Sequence, residues 1–234
     1  MLTILTLKIL LMIVYLSHWD WNLYKSRKDI VSSLQDKNII AMCPQGDYTD
    51  KLKGTYHQFI DWNINREQII DRRGLKNLIN NLNKLDEGTI VHSFTIRTGI
   101  LYSIANIFVK NNIIGILSIN GLGYLFSNNL KAKILKVIFK LFIKRFFNAS
   151  FNKIIFQNTN DKETLTKFLK YKGESILIPG SGIKMNNFIK KENYSNKKLK
   201  IIFASRLLRD KGINNYIELV KKMANHNFDF YLAG

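Results

Sequence analysis

The sequence predicts an α/β protein, in which a doubly wound, Rossmann-like parallel sheet is followed by the first βαβ unit of a second domain. Short apolar runs alternate with longer amphipathic runs along most of the 234 residues. The apolar runs are nearly continuous, as is typical of strands that a parallel sheet buries on both faces. Alternation of such strands with helical crossovers favours a layered α/β architecture.

The individual elements follow from these runs in chain order. We predict strands at residues 8–16, 38–43, 89–92, 112–119, 153–157 and 175–179, with a further strand at HQFIDW inside the irregular stretch 44–73. The predicted helices span residues 23–34, 74–85, 100–110 and 131–147, and Asn160–Glu163 resembles a capping box that opens another. The polar run KKENYSNKK predicts a linker, which divides the chain into residues 1–190, a linker at 191–198 and a second segment, 199–234.

The second segment repeats the pattern once. LKIIFAS predicts a strand, residues 212–224 a helix, and FDFYLAG another strand. One βαβ unit buries too little surface to be a domain by itself.

The apolar N-terminus has two interpretations. It lacks the basic region and the small-residue cleavage site of a secretory signal, and it is shorter than the roughly 20 residues of a membrane span. We therefore expect residues 8–16 to form a buried strand, and an N-terminal membrane anchor is the alternative. The single cysteine, Cys43, fits a reducing compartment.

The net charge is unusually positive, since 36 Lys and Arg face 17 Asp and Glu, which gives +19. Such a surface attracts phosphates, nucleic acid or anionic lipid. The abundance of Lys, Asn and Ile equally fits compositional drift, as in AT-rich coding sequence. Nucleic-acid binding is disfavoured, because no aromatic RNA-binding signature or recognition-helix motif occurs.

Candidate ligand-binding residues follow the predicted strands, because ligands of open α/β sheets bind beyond the carboxyl ends of the strands. Ser17 and His18 follow the first strand, and His92 follows TIVH as a candidate acid or base. A structural hydrogen bond is the alternative role for His92. The other positions of this kind are Asn120, Gly121, Gly123, Asn158, Gly180, Ser181 and Gly182. GLG at 121–123 is not a GxGxxG fingerprint, no P-loop occurs, and no Cys/His cluster predicts a metal site.

Residues 131–147 predict a basic amphipathic helix without a single acid. Lys133, Lys136, Lys140 and Lys144 recur at helical spacing, and the other faces carry Ile, Leu, Val and Phe. A helix of this composition can lie on an anionic membrane surface with these four lysines facing the lipid. The alternative is a core helix whose solvated side happens to be lysine.

FASRLLRDKGI, at residues 203–213, predicts an anion site. Arg206 and Lys211 stand five residues apart across a strand-to-helix turn, and Gly212 opens the helix. The amides of a helix N-terminus and two cations together suit a phosphate. A solvated loop is the alternative.

Several of these motifs, in this order, resemble the retaining glycosyltransferase family 4 of the GT-B fold, especially its bacterial branch that acts on lipid-linked surface polysaccharides. The similar stretches are WNLYKSR, which ends at Arg27, then IVHSFTIRTGILYSIAN, INGLGYLF, IIFQN, IPGSGIKMNNF and FASRLLRDKGI. The last resembles the family's R-L-x-x-x-K-G motif and is the most specific of them. A nucleotide-sugar epimerase of similar fold is disfavoured by this spacing and by the GLG loop.

The resemblance implies a reaction and its participants. Residues 1–190 would bind the acceptor, a polyprenyl-diphosphate-linked glycan, and the second domain would bind a nucleotide sugar, UDP-linked by expectation, with neither metal nor cofactor. Arg206 and Lys211 would contact the donor diphosphate. The cleft and acceptor site would include Arg27, Asn120, Gly121, Gly123, Ser181 and Gly182, with His92 and Asn120 as catalytic candidates.

The chain departs from the family pattern at two places. Asn120 stands where many members have histidine, and Ser26 where a related branch has one. The acids of the family's E-x7-E motif would lie beyond Gly234, so we expect little activity from this chain alone. A separate chain that supplies the remainder, a natural truncation and an artificial one are the alternatives. We expect a cytoplasmic protein, peripheral on the inner face of the cell membrane. A non-catalytic basic module that binds membrane or a partner is the alternative.

Overall fold

The structure, a computed structural model, describes residues 12–34, 38–68, 71–126, 130–185 and 198–234. The chain divides into two compact units, Met1–Ile183 and Lys184–Gly234. Residues 8–11 of the predicted first strand and residues 191–197 of the predicted linker lie outside the described residues.

The first unit contains a seven-stranded parallel sheet in the order β3-β2-β1-β4-β5-β6-β7. Its strands are β1 (Met12–Leu16), β2 (Asn38–Cys43), β3 (Gln58–Asp61), β4 (Ile90–Phe94), β5 (Ile114–Ile119), β6 (Lys153–Phe156) and β7 (Glu174–Leu177). The strand order reverses between β1 and β4, so this pair forms the topological switch point at which doubly wound sheets bind ligands.

Helices cross over between successive strands. They are α1 (Asp20–Ser33), α2 (Thr49–Lys53), α3 (Arg72–Leu82), α4 (Ile96–Asn106), α5 (Leu130–Ile138), α6 (Lys144–Ser150) and α7 (Thr159–Leu169). A π-helical turn, Phe139–Ile143, joins α5 to α6, so residues 130–150 form one helical stretch, which we call the basic helix.

Each face of the sheet carries its own apolar core. Val14, Leu16 and Val91 face the larger core, where side chains of α3, α4, α6 and α7 cover them. Tyr15 and Phe94 face the smaller core, together with Leu23 of α1. Alternate residues of the same strands thus point to opposite layers, as the pleat requires.

The observed elements confirm the predicted fold class and correct three details. The helix before β3, α2, was not predicted, because five residues carry too little periodicity to show. The cap of α7 is Asn158, whose side chain accepts from the Asp161 amide, instead of the predicted Asn160. Strand β4 continues to Phe94, so His92 lies inside the strand and not beyond its end.

The described residues of the second unit form one βαβ unit, with β8 (Leu199–Ala204), α8 (Ile213–Lys222) and β9 (Phe228–Ala233), and the two strands pair in parallel. The Tyr216 hydroxyl lies 3.0 Å from the Ile201 carbonyl and 2.8 Å from the Tyr231 carbonyl. One buried tyrosine thereby fixes α8 to both strands.

Candidate functional site

The carboxyl ends of β1 and β4 bring together polar side chains from two distant segments. His18 follows β1, and its Nδ1 lies 2.9 Å from the Thr98 hydroxyl in the first turn of α4. Thr95, the N-cap of α4, has φ of 78°, which is uncommon for a residue other than glycine. Its hydroxyl lies 3.3 Å from His18 Nδ1. The switch point therefore holds an imidazole against the start of a helix.

Two arginines add positive charge to this place. Arg97 donates from Nη1 to the Arg66 carbonyl at 2.6 Å and from Nη2 to the carbonyls of Asn65 and Gln68, which fixes the 65–68 loop to α4. The Arg66 guanidinium lies 4.5 Å from the centre of the Trp19 ring. Burial, and then the charges of Arg97 and Arg66, lower the pKa of His18 to about 4. The imidazole is therefore neutral near pH 7, and the net charge here belongs to the two arginines.

A second group forms around Arg27, on α1. Its Nη1 donates to the Ser181 hydroxyl at 2.9 Å, and its Nη2 donates to Asn120 Oδ1 at 3.4 Å. The guanidinium also lies 4.4 Å from the centre of the Phe94 ring, and burial lowers its pKa. Arg27, Asn120 and Ser181, three residues of the predicted cleft and acceptor set, thus meet in one cluster. Asn120 and Ser181 lie 93 and 154 positions from Arg27 in the sequence.

The loops beside this cluster have room for a ligand. Gly121 (φ 151°) follows Asn120, Gly123 (φ 57°) follows in the same loop, and Gly182 (φ 75°) follows Ser181. At each of the three, no atom of the described residues lies within 4 Å of the place where a Cβ would stand, apart from the glycine and its two chain neighbours. These glycines supply backbone angles that other residues rarely adopt and leave open space beside the polar side chains.

His92 has a different environment from the one expected of an acid or base at a strand end. Its Nε2 lies 2.8 Å from the Ser118 hydroxyl, and its ring packs against those of Phe94 and Tyr15. Burial, and then the charge of Arg27, lower its pKa to about 3. The imidazole is a neutral hydrogen-bonding member of the sheet face.

The basic helix presents apolar side chains to solvent. Leu130, Ile134 and Leu141 are 72%, 54% and 70% exposed, and Val137 and Ile138 are exposed as well. Lys133 and Lys140 are exposed beside this apolar stripe, and Lys144 is partly exposed. Lys136 departs from the predicted lysine face, because its Nζ lies 4.3 Å from the Phe126 ring centre and 5.4 Å from that of Phe168. The exposed surface of the basic helix thus combines an apolar stripe with flanking cations.

No helix in the described part of the chain has the length and hydropathy that a membrane crossing requires. Within the same residues, no three His, Cys, Asp or Glu side chains converge as they would around a metal ion.

The second unit places its predicted cations at the start of α8. Arg206 and Lys211 are both exposed, and Gly212, with φ of 87°, is the N-cap residue of the helix. A 3₁₀ turn, Arg209–Lys211, leads into it. The strand-turn-helix context predicted for this anion site is present.

Only part of the first unit's site is predictable from the sequence. The position of His18 after a strand predicts its place in the site, whereas no such pattern points to Arg66, Arg97 or Trp19. Arg66 lies in a stretch without readable periodicity, and Arg97 contacts it from 31 residues away. A positive charge in the first turn of a helix, where acids are favoured, was the available signal for Arg97.

Solved structures share this fold at low sequence identity. Sucrose-phosphate synthase from Thermosynechococcus elongatus is 14% identical and matches with a TM-score of 0.69 over 95% of this chain and 62% of its own. Anabaena HepE in complex with UDP and glucose is 10% identical, with a TM-score of 0.59 over 96% and 70% of the two chains. A UDP-N-acetylglucosamine 2-epimerase is 11% identical, with a TM-score of 0.54 over 95% and 60%.

These matches confirm the predicted fold class, a Rossmann-like α/β fold of GT-B type. This chain spans less than two thirds of the sucrose-phosphate synthase. A comparison with protein-family models gave no match, and neither did a comparison with curated proteins.

Proposed function

We propose that this chain is the acceptor-binding part, with the start of the donor-binding part, of a retaining glycosyltransferase of family 4. Its donor is a nucleotide sugar, UDP-linked, and its acceptor is a polyprenyl-diphosphate-linked glycan of surface polysaccharide synthesis at the cytoplasmic face of the membrane. The sugar-transfer half of the proposal is supported by the shared fold, since one of the similar structures holds UDP and glucose.

The observation that carries the membrane-bound acceptor is the surface of the basic helix. Its exposed apolar stripe would be unfavourable in water and is stabilised when it enters the headgroup region of a bilayer. The flanking lysines add attraction to anionic lipid, of about 1 kcal/mol for each cation near the surface. An enzyme held at this interface meets lipid-linked acceptors where they reside.

Within this proposal, each cluster has a role. Arg206 and Lys211 would hold the donor diphosphate at the start of α8, where leaving-group charge develops. Arg27, Asn120 and Ser181 would bind acceptor hydroxyls, and Asn120 remains the catalytic candidate beside the Gly121–Gly123 loop. His92 would support this group from within the sheet, because its nitrogen is already engaged by Ser118.

Vesicle co-sedimentation tests the membrane half with a matched control. We expect the chain to bind vesicles that contain anionic lipid more strongly than zwitterionic ones. The double variant Lys133→Glu/Lys140→Glu should bind at least about tenfold more weakly, because it reverses charge beside the apolar stripe. The double variant Lys221→Glu/Lys222→Glu changes the net charge equally, at exposed positions of α8. Equal loss in both variants would mean that net charge alone drives binding.

A transfer assay separates the enzyme from its alternative, a non-catalytic membrane-binding module. Radiolabelled UDP-sugars would be supplied with lipid-linked acceptors to the chain alone and to the chain together with a donor-domain partner. Transfer that requires both supports the proposal. Robust turnover by the chain alone would contradict the assignment of residues 199–234 as an incomplete donor domain, and absence of transfer in both arms, with vesicle binding intact, would favour the module.

A further inference from the structure

An apolar groove of about 300 Å³ lies between α4 and the basic helix. Ile100, Leu101 and Ile104 form one wall, and Leu135, Ile138 and Phe139 form the opposite wall. Protein interiors rarely leave spaces larger than a water molecule, and this volume is at the small end of ligand pockets. A groove of this size and composition suits a slender hydrocarbon.

One end of the groove is polar. Glu67, Gln68 and Arg97 line it there, and Arg66 precedes Glu67 in the same loop. Arg97 fixes the 65–68 loop by donating to its backbone carbonyls. Arg66 belongs to that loop, and its exposed side chain lies over the ring of Trp19. Arg66 contacts Trp19, which directly follows His18, and Thr98, which directly follows Arg97, lies 2.9 Å from His18 Nδ1. The polar end of the groove therefore adjoins the switch point of the sheet. A ligand chain in the groove would thus place an anionic head near the carboxyl ends of β1 and β4.

The groove opens at Ile138 on the surface of the basic helix, because this residue lines the groove and is also 44% exposed. That surface carries the apolar stripe of Ile134, Val137 and Leu141. The π turn at Phe139–Ile143 begins directly after Ile138, and π turns within α-helices are frequent at functional sites. A lipid chain could pass from the bilayer into the groove along one continuous apolar surface.

We infer that this groove binds the hydrocarbon chain next to the phosphate of the lipid-linked acceptor, with the phosphate held near Arg66 and Arg97. The inference rests on the proposed function and gives it a specific acceptor subsite. A hydrocarbon chain with an anionic head matches an apolar floor whose polar end carries two arginines and one glutamate, a net positive charge. An apolar peptide segment would offer that net charge no counter-charge.

Equilibrium dialysis with farnesyl phosphate, farnesol and inorganic phosphate, below micelle-forming concentrations, tests the inference. The wild-type chain should bind farnesyl phosphate at least tenfold more tightly than either of the other two. Ile104→Trp fills the groove from α4 and should weaken binding at least tenfold. Ile138→Trp, at the partly exposed rim, should act in the same direction and provides a second variant if Ile104→Trp unfolds at a lower temperature.

Ile107→Trp is the matched control, because it makes the same change at an exposed position directly after α4, outside the groove. Its farnesyl phosphate affinity should stay within twofold of the wild-type value. Arg66→Gln should weaken binding of farnesyl phosphate and leave farnesol unchanged. Equal affinities for farnesol and farnesyl phosphate, or wild-type affinity in both groove variants, would overturn the inference.

The result is independent of the tests of the proposed function. Vesicle binding depends on the outer surface of the basic helix, and sugar transfer depends on the donor. If vesicle binding and sugar transfer are observed but binding of farnesyl phosphate does not depend on its hydrocarbon chain, the groove is not the acceptor subsite and the proposed function stands. If farnesyl phosphate binds but no sugar is transferred, the groove binds lipid and the proposed enzyme activity is contradicted.

Discussion

Arg27 is a buried cation whose partners, among the described residues, are neutral. It donates to Ser181 and Asn120 and lies over Phe94. Burial of a charge without a carboxylate opposes folding, and a hydrophobic side chain of similar volume is often neutral or stabilising in such a place. We expect Arg27 to lower the stability of the fold, a cost that its proposed role in acceptor binding would explain.

Arg27→Met should therefore leave the free energy of unfolding unchanged or raise it by about 1 kcal/mol. Methionine keeps the packing over Phe94 and removes the buried charge, while Ser181, which also accepts from Gln157 Nε2 at 3.5 Å, keeps one partner. Urea unfolding of both proteins measures the difference. A loss greater than about 2 kcal/mol would instead give Arg27 a structural role.

His92 predicts a dependence of stability on pH. Its folded pKa of about 3 lies below the usual value of 6.5, so between these values the unfolded chain binds the extra proton. The contribution of His92 to the free energy of unfolding is therefore fully present above pH 6.5, and it is lost as the pH decreases toward the folded pKa. The slope for one such group is about 1.4 kcal/mol for each pH unit.

His92→Gln tests this dependence, because glutamine can still hydrogen-bond Ser118 and does not titrate. Between pH 6.5 and 5, the wild type should lose about 2 kcal/mol more than the variant in urea unfolding. His18, whose pKa is also lowered, remains in both proteins and serves as the common background. Parallel pH profiles would show that the His92 imidazole is solvated in the folded state.

At the scale of elements, the sequence predicts what depends on neighbours along the chain. The predicted ends of strand β2 agree with the observed ones, because Lys37 and Pro44 bound the run NIIAMC. The end of β4 was misplaced, because His92 and Ser93 are polar residues inside a buried strand. The contact of Arg27 with Ser181 joins α1 to the loop after β7, and no local pattern predicts such a contact.

The crossing of α6 over β5 is so close that it requires a glycine. A Cβ at Gly115 would lie 1.9 Å from the Ser150 carbonyl oxygen, a backbone atom at the end of the basic helix. The Gly115 carbonyl also accepts from the Asn152 amide at 2.9 Å. This approach fixes the end of the basic helix against the sheet.

Gly115→Ala should therefore lower the free energy of unfolding by about 2–3 kcal/mol, since the backbone must shift to make room. Gly54→Ala is the control: the nearest atom to its Cβ would be 3.7 Å away, and its backbone is already helical. That control should be neutral or slightly stabilising. Urea unfolding compares the two, and equal effects would contradict the close crossing.

At the scale of the whole molecule, the two units differ in how much apolar surface they bury. The sheet of the first unit has cores on both faces, with Val14, Met42 and Val91 fully buried. In the second unit, Ile202 of β8 and Leu232 of β9 are 62% and 57% exposed, and Tyr216 is its buried apolar residue among those described. Local stability follows such burial, so the units should open independently and at different free energies.

Hydrogen exchange followed by mass spectrometry should resolve this difference. Amides of β8 and β9 should exchange at least about 100-fold faster than those of β1 and β4, which corresponds to about 2.7 kcal/mol of local opening free energy. Strand β7 is the control, because it is also at an edge but belongs to the seven-stranded sheet, and it should exchange at an intermediate rate. Fast exchange in β7 as well would trace the effect to edge position. Protection of β8 equal to that of β4 would show that the second unit is stabilised by more than its own helix and two strands.

Added UDP that slows exchange at Arg206–Gly212 in particular would support the donor-diphosphate role proposed for that loop, because a bound phosphate must hold the amides at the start of α8.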